Sequence, residues 1–449
     1  MLLCTVGLVF YLNFSDGTKA IAPLAEVRAR DYFYTPGFMF YAILIGIGIA
    51  SFLELLGEYS SRVFGGKRSW QKALFPLGLV VAILLPVHTG FANFTNNDRA
   101  GNYLPWDYAK NILESCDRNA IVFTNGDNDT FPLWFIQEVA KVRTDVRVVN
   151  LSLLNTPWYI HQIKDQMHVP IKLSYNEIEN LRPARIEGSN NIWRIQDQMV
   201  KEIIVNSQAN NWNPPVYFSM SVASENRLGL EDHFILQGMA YRIVDSTGKD
   251  RMDTGKSYGI FGNPVNFRGL ADPRVHKDDN DNRLIGNYIG AMFRLVTTYQ
   301  REGKNDSALA IAELAVMIRP SEVMWQASAY LAKMYTAIGE IDKVDSLLNA
   351  SNKDEGEKIA LATAQDFITN KQYDQALKVL ELAISKYPSS FLALNNLVML
   401  YYQRGDTSSA ESLIARYQSA NSQDMALMQQ LNDMRARIKH SPSPNSEAK

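Results

Sequence analysis

VFTNGDNDTFPLWFIQEVAKVRTDVRVVNLSLLNTPWYI, residues 122–160, decides the reading. Its first apolar run, AIVFT from Ala120, is short, β-branched and aromatic, and stops at an Asn-Gly-Asp cluster. That is the pattern of a buried strand running into a turn. FPLWFIQEVAKV then reads as a helix opening with Pro132, a residue tolerated in a first turn. VRVVNL is a second strand, and TPWYIHQIKDQ a further helix with Pro157 near its start. Outward from this core, PWDYAKNILESC precedes it as a helix with Pro105 in its first turn. IWRIQDQMVKEIIVNS follows as a long helix and PVYFSM as another strand. LQGMAYRIV fits either a strand or a helix end. Strands alternating with helices predict an α/β domain over residues 93–275, with a mostly parallel sheet covered on both faces.

In such sheets ligands bind beyond the carboxyl ends of the strands. Here those ends carry Asn125, Gly126, Asp127, Asn128, Asp129 and Thr130, then Asn150, Ser152 and Asn155, then Ser219 and Ser221. Candidate ligand-binding residues are therefore Asn125, Asp127, Asn128, Asp129, Asn155 and Trp158. Three readings stay open for the first loop. Asx residues favour tight turns, and Asp129 or Thr130 would cap a helix starting near Pro132. The polar groups would equally suit a glycan or small ligand. Asp127 and Asp129 flank one residue and could share a divalent cation; they are the only weak candidates for a metal, and no resident metal or cofactor is expected. A DxD triplet also serves nucleotide-sugar transferases, but nucleotide sugars are not expected in a periplasm. The aromatic Trp134, Trp158 and Tyr159 are read as core packing before sugar stacking. The sequence has no GxSxG, P-loop, GxGxxG or HExxH.

Beyond about Ile289 one pattern recurs: an apolar residue, Tyr or Phe four later (three in the third copy), usually Gly four after that, then Ala. Its copies are Leu295/Tyr299/Gly303/Ala308, Leu331/Tyr335/Gly339/Val344, Ala364/Phe367/Ala376 and Leu397/Tyr401/Gly405/Ala410. Successive aromatic positions lie 36, 32 and 34 residues apart. A period near 34 with small and aromatic positions resembles tetratricopeptide repeats. It predicts an all-α solenoid over 285–437 whose stacked helix pairs take a protein partner, the bland alternative being that they only brace the α/β domain. A polar Ser/Pro-rich tail, 438–449, is expected to be disordered.

Toward the N-terminus, Phe38–Leu56 and Ala73–Ala92 are apolar runs of 19 and 20 residues, the length that spans a bilayer as helix. The stretch 1–14 reads as the far end of another span, which makes this chain the C-terminal part of a larger membrane protein or the partner of one. The loop between the two runs carries Arg62, Lys67, Arg68 and Lys72 against Glu58. The positive-inside rule places that loop in the cytoplasm and everything beyond residue 92 across the membrane. The expected location is a bacterial inner membrane with the α/β and repeat domains in the periplasm. Membrane lipid is the first expected partner.

The 449 residues hold 45 basic against 47 acidic side chains, a net charge of −2, without the basic excess of a nucleic-acid binder; no nucleic-acid partner is expected. Mean hydropathy is −0.17, so the apolar runs sit in a largely soluble chain. Two cysteines, Cys4 and Cys116, form no CxxC pair.

EVRARDYFYTPGFMFYAI, the 122–160 stretch and GLADPRVHKDDNDNRLIGNYIGAMFRL together resemble a Bacteroidota membrane-protein family catalogued as domain of unknown function 2723. That family is similar to protein O-mannosyltransferases and other transferases that use lipid-linked sugars. The resemblance implies membrane spans, a periplasmic C-terminal region and trailing repeats. The acidic catalytic loop expected in this class follows its first membrane helix and has no counterpart here, so the resemblance carries no catalytic residue onto the chain. It implies a non-catalytic module that positions acceptor or glycan, with possible contact to a lipid-linked sugar. A protein scaffold with no glycan role is the alternative. Arg28 and Arg30 match the family's juxtamembrane motif and are candidates for contacting a lipid phosphate, since guanidinium pairs bidentately with phosphate; interfacial anchoring beside Tyr32, Phe33 and Tyr34 is the simpler role.

Overall fold

A computed structural model describes residues 34–63, 68–185, 192–319, 325–420 and 425–440. The partial span 1–14, Arg28 and Arg30 lie outside the described residues, as does the tail from 441. The chain divides into two compact units, Met1–Asp98 and Arg99–Lys449.

The first unit holds α1 (Thr35–Val63) and α2 (Arg68–Asn97). Thr35–Tyr59 and Gly78–Asn97 are long and apolar enough to cross a membrane. Phe38, Phe40, Ile43, Leu44, Ile47 and Phe52 are exposed. Such surface is costly in water at about 25 cal/mol per Å² and costs nothing in lipid. Both helices extend past the apolar runs at each end, so the polar flanks are helical too.

The second unit opens with α3 (Leu104–Ser115). Then come β1 (Ile121–Thr124), α4 (Asp127–Glu138), β2 (Arg147–Asn150), α5 (Pro157–Asp165) and α6 (Tyr175–Glu179). The short strands β3 (Ala184–Arg185) and β4 (Ile192–Trp193) form a separate antiparallel pair. They precede α7 (Ile195–Ala209), β5 (Val216–Ser219), β6 (Phe234–Gln237), β7 (Ala240–Ile243), β8 (Arg251–Met252) and α8 (Thr254–Phe261). The main sheet has the order β2-β1-β5-β7-β6-β8. β1 runs parallel to both β2 and β5, and every residue of β1 and β5 is buried, as central strands covered on two faces must be.

The sheet is mostly parallel: β1, β2, β5, β6 and β8 run the same way, and β7 alone among its six strands is antiparallel to its neighbours β5 and β6. LQGMAYRIV is the β6–β7 hairpin, turned at Gly238 with φ +55°, a left-handed conformation that favours glycine. The helix expected to open at Pro132 begins five residues earlier, at Asp127. Pro132 therefore stands inside it, and Asn128, whose carbonyl loses that intrahelical donor, is exposed to solvent.

From α9 (Asp279–Arg301) the unit is helical, starting ten residues before Ile289. The Asp278 carboxylate caps this helix by accepting from Asn280 N and Asp281 N at 2.9 and 3.0 Å. Helix pairs follow: α10 (Asn305–Ile318), α11 (Trp325–Ala337), α12 (Ile341–Asn349), α13 (Lys353–Thr369), α14 (Tyr373–Lys386), α15 (Phe391–Gln403) and α16 (Thr407–Ala420), then α17 (Met425–His440). The repeat logic is visible in the packing. Ala308, Val344, Ala376 and Ala410 are fully buried where helices cross. Gly303, Gly339 and Gly405 turn the chain between paired helices at φ +74°, +85° and +80°. In the third repeat Lys371 takes that left-handed turn instead, at φ +59°. Because α17 reaches His440, the tail expected from 438 begins no earlier than 441.

The first repeat is not hinged to the α/β domain. Tyr288 of α9 is buried and accepts from Asn111 Nδ2 of α3 at 2.7 Å. Asn287 Nδ2 donates to Tyr108 Oη at 2.9 Å. The Tyr108 and Tyr288 rings meet edge to face at 5.2 Å, and burial pushes both phenols well above their ordinary range.

Candidate functional site

The carboxyl ends of β1, β2 and β5 converge on one hydrogen-bonded cluster. At its centre is Asp129, buried in the first turn of α4. Its two oxygens accept from Asn125 N at 2.8 Å and Gly126 N at 2.9 Å, and Ser221 Oγ donates to it at 2.5 Å. Ser219 Oγ lies 2.8 Å from Ser221 Oγ. The carboxylate thus ties the β1 loop to the end of β5, where an acidic group also favours the helix N-terminus. Beneath it, Thr130 Oγ1 meets Thr124 Oγ1 at 2.7 Å and accepts from Asn150 Nδ2 at 2.9 Å. Asn150 Oδ1 in turn accepts from Leu153 N.

A second tier forms the rim. Asn226 Nδ2 donates to Asn125 Oδ1 at 3.1 Å, and Arg194 Nη2 donates to Asn226 Oδ1 at 2.7 Å. Arg194 is also clamped to Asp197 by its Nε and Nη2, both at 2.9 Å. Asn155 Oδ1 accepts from Gln196 N at 3.1 Å, binding the β2 loop to the start of α7. Ser152 Oγ reaches Asn125 O at 3.2 Å.

The candidate residues therefore separate by place. Asn125, Asp129 and Asn155 belong to the ordered network. Asp127, Asn128 and Trp158 stand exposed on its edge, Trp158 at 57%. Trp158 is thus not core, contrary to the packing expectation, whereas Tyr159 is: its hydroxyl accepts from Asn150 N at 2.9 Å, and burial raises its phenol to about 12. Asp129 does cap the helix, though from inside its first turn. Asp129 bonds backward to the residues before the helix from its third position, as in the return half of a capping box. With Asp129 engaged by three donors and Asp127 facing solvent, these two carboxylates do not form a prepared cation cage. Among the described residues no group of three or more His, Cys, Asp or Glu could hold a metal ion.

Asn226 and Arg194 were not anticipated. Asn226 lies in the loop after β5, where the strand-end rule would look; Arg194 carries no local signal. Cys116 is buried, and burial pushes its thiol up to about 12, so it is no nucleophile.

A second feature lies in the repeats. A groove of about 1020 Å³ runs between α14, α15 and α16, lined by Glu381, Leu397, Tyr401, Leu413, Arg416 and Tyr417. Tyr401 Oη donates to Glu381 at 2.7 Å across it.

Two family models match the chain. One, described as TMEM260-associated domain 2, matches residues 105–192 and 184–257 and so spans the sheet and the whole network above. The other, a tetratricopeptide repeat, matches residues 367–438. The central part of the chain is therefore similar to a TMEM260-associated domain, and its C-terminal part carries tetratricopeptide repeats. No solved structure matches the chain.

Proposed function

We propose that this chain is a membrane-anchored module of a lipid-linked-sugar protein glycosyltransferase system, in which the α/β domain positions acceptor or glycan and does no bond-making itself. The observation that carries this reading is the hydrogen-bonded cluster at the carboxyl ends of β1, β2 and β5. A buried scaffold around Asp129 holds the amides of Asn125 and Asn226 and the Arg194 guanidinium, and Asp127, Asn128 and Trp158 stand exposed at its edge. Amides and carboxylates bond sugar hydroxyls in pairs, and an exposed indole offers a face to stack on the ring. The matching family supports it, since TMEM260 is related to O-mannosyltransferases. Anchoring rests on the two apolar helices, and the periplasmic side on the basic loop between them. The Bacteroidota resemblance belongs to this same reading.

The test is titration of the full chain in nanodiscs with mannobiose and with polyprenyl-phosphate mannose. Binding to either, lost in Asp127→Asn and in Trp158→Ala with unchanged melting, supports the proposal. Failure of the wild-type chain to bind both overturns it. The 1020 Å³ repeat groove favours a second reading, a scaffold for envelope proteins. It predicts that a photo-crosslinker at Tyr401 yields discrete adducts that persist in Asp127→Asn.

A further inference from the structure

Helix α4 and its C-terminal cap residue Val139 carry apolar side chains on the face where a soluble domain places charge. Phe131, Phe135 and Val139 follow one another at four-residue spacing and are 52%, 52% and 67% exposed. Trp134 stacks on Phe131 with ring centres 5.7 Å apart, and Trp106 of α3 meets Phe135 edge-on at 5.9 Å. Glu138, the acidic side chain at the end of this face, is paired with Lys141 at 3.6 Å. A contiguous exposed patch of this kind marks a covered surface.

We propose that this α3/α4 aromatic patch docks on the lipid headgroup–acyl boundary of the membrane that α1 and α2 cross. The proposal rests on the anchoring reading above. Two features select lipid over a protein partner. Residues 98–103 alone separate the end of α2 from the start of α3. Six residues span at most about 20 Å, so the chain tethers the start of α3 within that reach of the end of α2. Secondly, the patch is built of indole and phenyl rings, the side chains that concentrate at membrane interfaces. The consequence is positional. Asp127 and Asp129 open the same 12-residue helix, which is about 18 Å long. Docking its outer face holds the strand-end polar cluster within reach of a headgroup-borne sugar.

The experiment uses the full chain with Cys4→Ser, reconstituted in phosphatidylcholine vesicles with a minority of phosphatidylglycerol. One added cysteine, by Ile47→Cys, Val139→Cys or Ile338→Cys, carries an environment-sensitive fluorophore, the remaining Cys116 being buried; nitroxide-labelled lipid is the quencher. The expected result is quenching at 47 and at 139, each at least about twofold over 338. Phe131→Ser with Phe135→Ser should abolish it at 139 and leave it at 47. Quenching at 47 with 139 no different from 338 overturns docking and leaves anchoring intact. No quenching at 47 overturns anchoring, and docking with it. A label at 139 that escapes lipid quencher yet is shielded from aqueous iodide means that protein covers the patch, and the lipid assignment falls.

Discussion

Replacing Asp129 by asparagine separates the buried scaffold of the strand-end cluster from its exposed edge. The carboxylate takes two backbone N–H groups and one hydroxyl, at 2.8, 2.9 and 2.5 Å. Asparagine keeps one acceptor and turns an NH₂ toward a donor. One hydrogen bond to a charged acceptor is lost, worth about 1.5–3 kcal/mol, and one donor is left unsatisfied in a buried site, costing about 1–3 kcal/mol. The sum is about 2.5–6 kcal/mol. At about 2–4 °C per kcal/mol this lowers the melting temperature by roughly 10 °C. The assay is differential scanning fluorimetry of the full chain in nanodiscs, with Asp127→Asn alongside. Asp127 is exposed, so its variant should melt within about 0.5 kcal/mol of wild type. An Asp129→Asn protein that melts within about 2 °C of wild type would refute the claim that this carboxylate organises the strand ends.

Other outcomes follow from particular residues. Gly238→Ala should destabilise by about 2–4 kcal/mol in urea unfolding, because φ is +55° and a Cβ would sit 2.4 Å from Ser115 Oγ. Lys371→Gly should stabilise by about 1 kcal/mol, since a lysine at φ +59° bears the steric cost that glycine avoids; thermal melting checks it. The Arg143 guanidinium, at 2.9 and 3.0 Å from Asp145, draws that carboxyl down to about 2. A carboxyl depressed by folding contributes stability above its unfolded value of about 4 and loses it as pH falls toward about 2. The melting difference between wild type and Asp145→Asn should therefore be full at pH 6 and vanish near pH 2; a difference unchanged at low pH would contradict it.

Much of the architecture was legible because burial writes itself as pattern. AIVFT and PVYFSM were readable as strands since β1 and β5 are buried on both faces and admit few polar residues. The repeats were readable because Ala308, Ala376 and Ala410 occupy crossings with no room for larger groups. The β6–β7 hairpin was not, because a single glycine between apolar runs lacks the Asn-Gly or Asp-Gly turn signal. The start of α4 was misread because Pro132 looked like a first-turn residue, while Asp129 bonding back to Gly126 carried the helix to Asp127. In the site, the loops after β1 and β2 were found by the strand-end rule. The tie from Asn125 through Asn226 to Arg194 was not, since its members come from segments far apart in sequence that only the closed sheet brings together.

The burial of Tyr288 against α3 has a consequence for what can be cut or exchanged. The natural seam of this chain does not fall between sheet and solenoid, for the first repeat helix is itself a wall of the α/β core. A fragment ending near residue 275 would bare Tyr108 and leave the Asn111 amide with Asn266 O as its one acceptor in place of two, so the shortest unit that keeps the sheet intact must run through Arg301. Repeats grafted after that point would inherit a fixed bearing. The solenoid then behaves as a rigid outrigger, and a load on its far end is felt at the sheet as torque instead of being lost in a swivel.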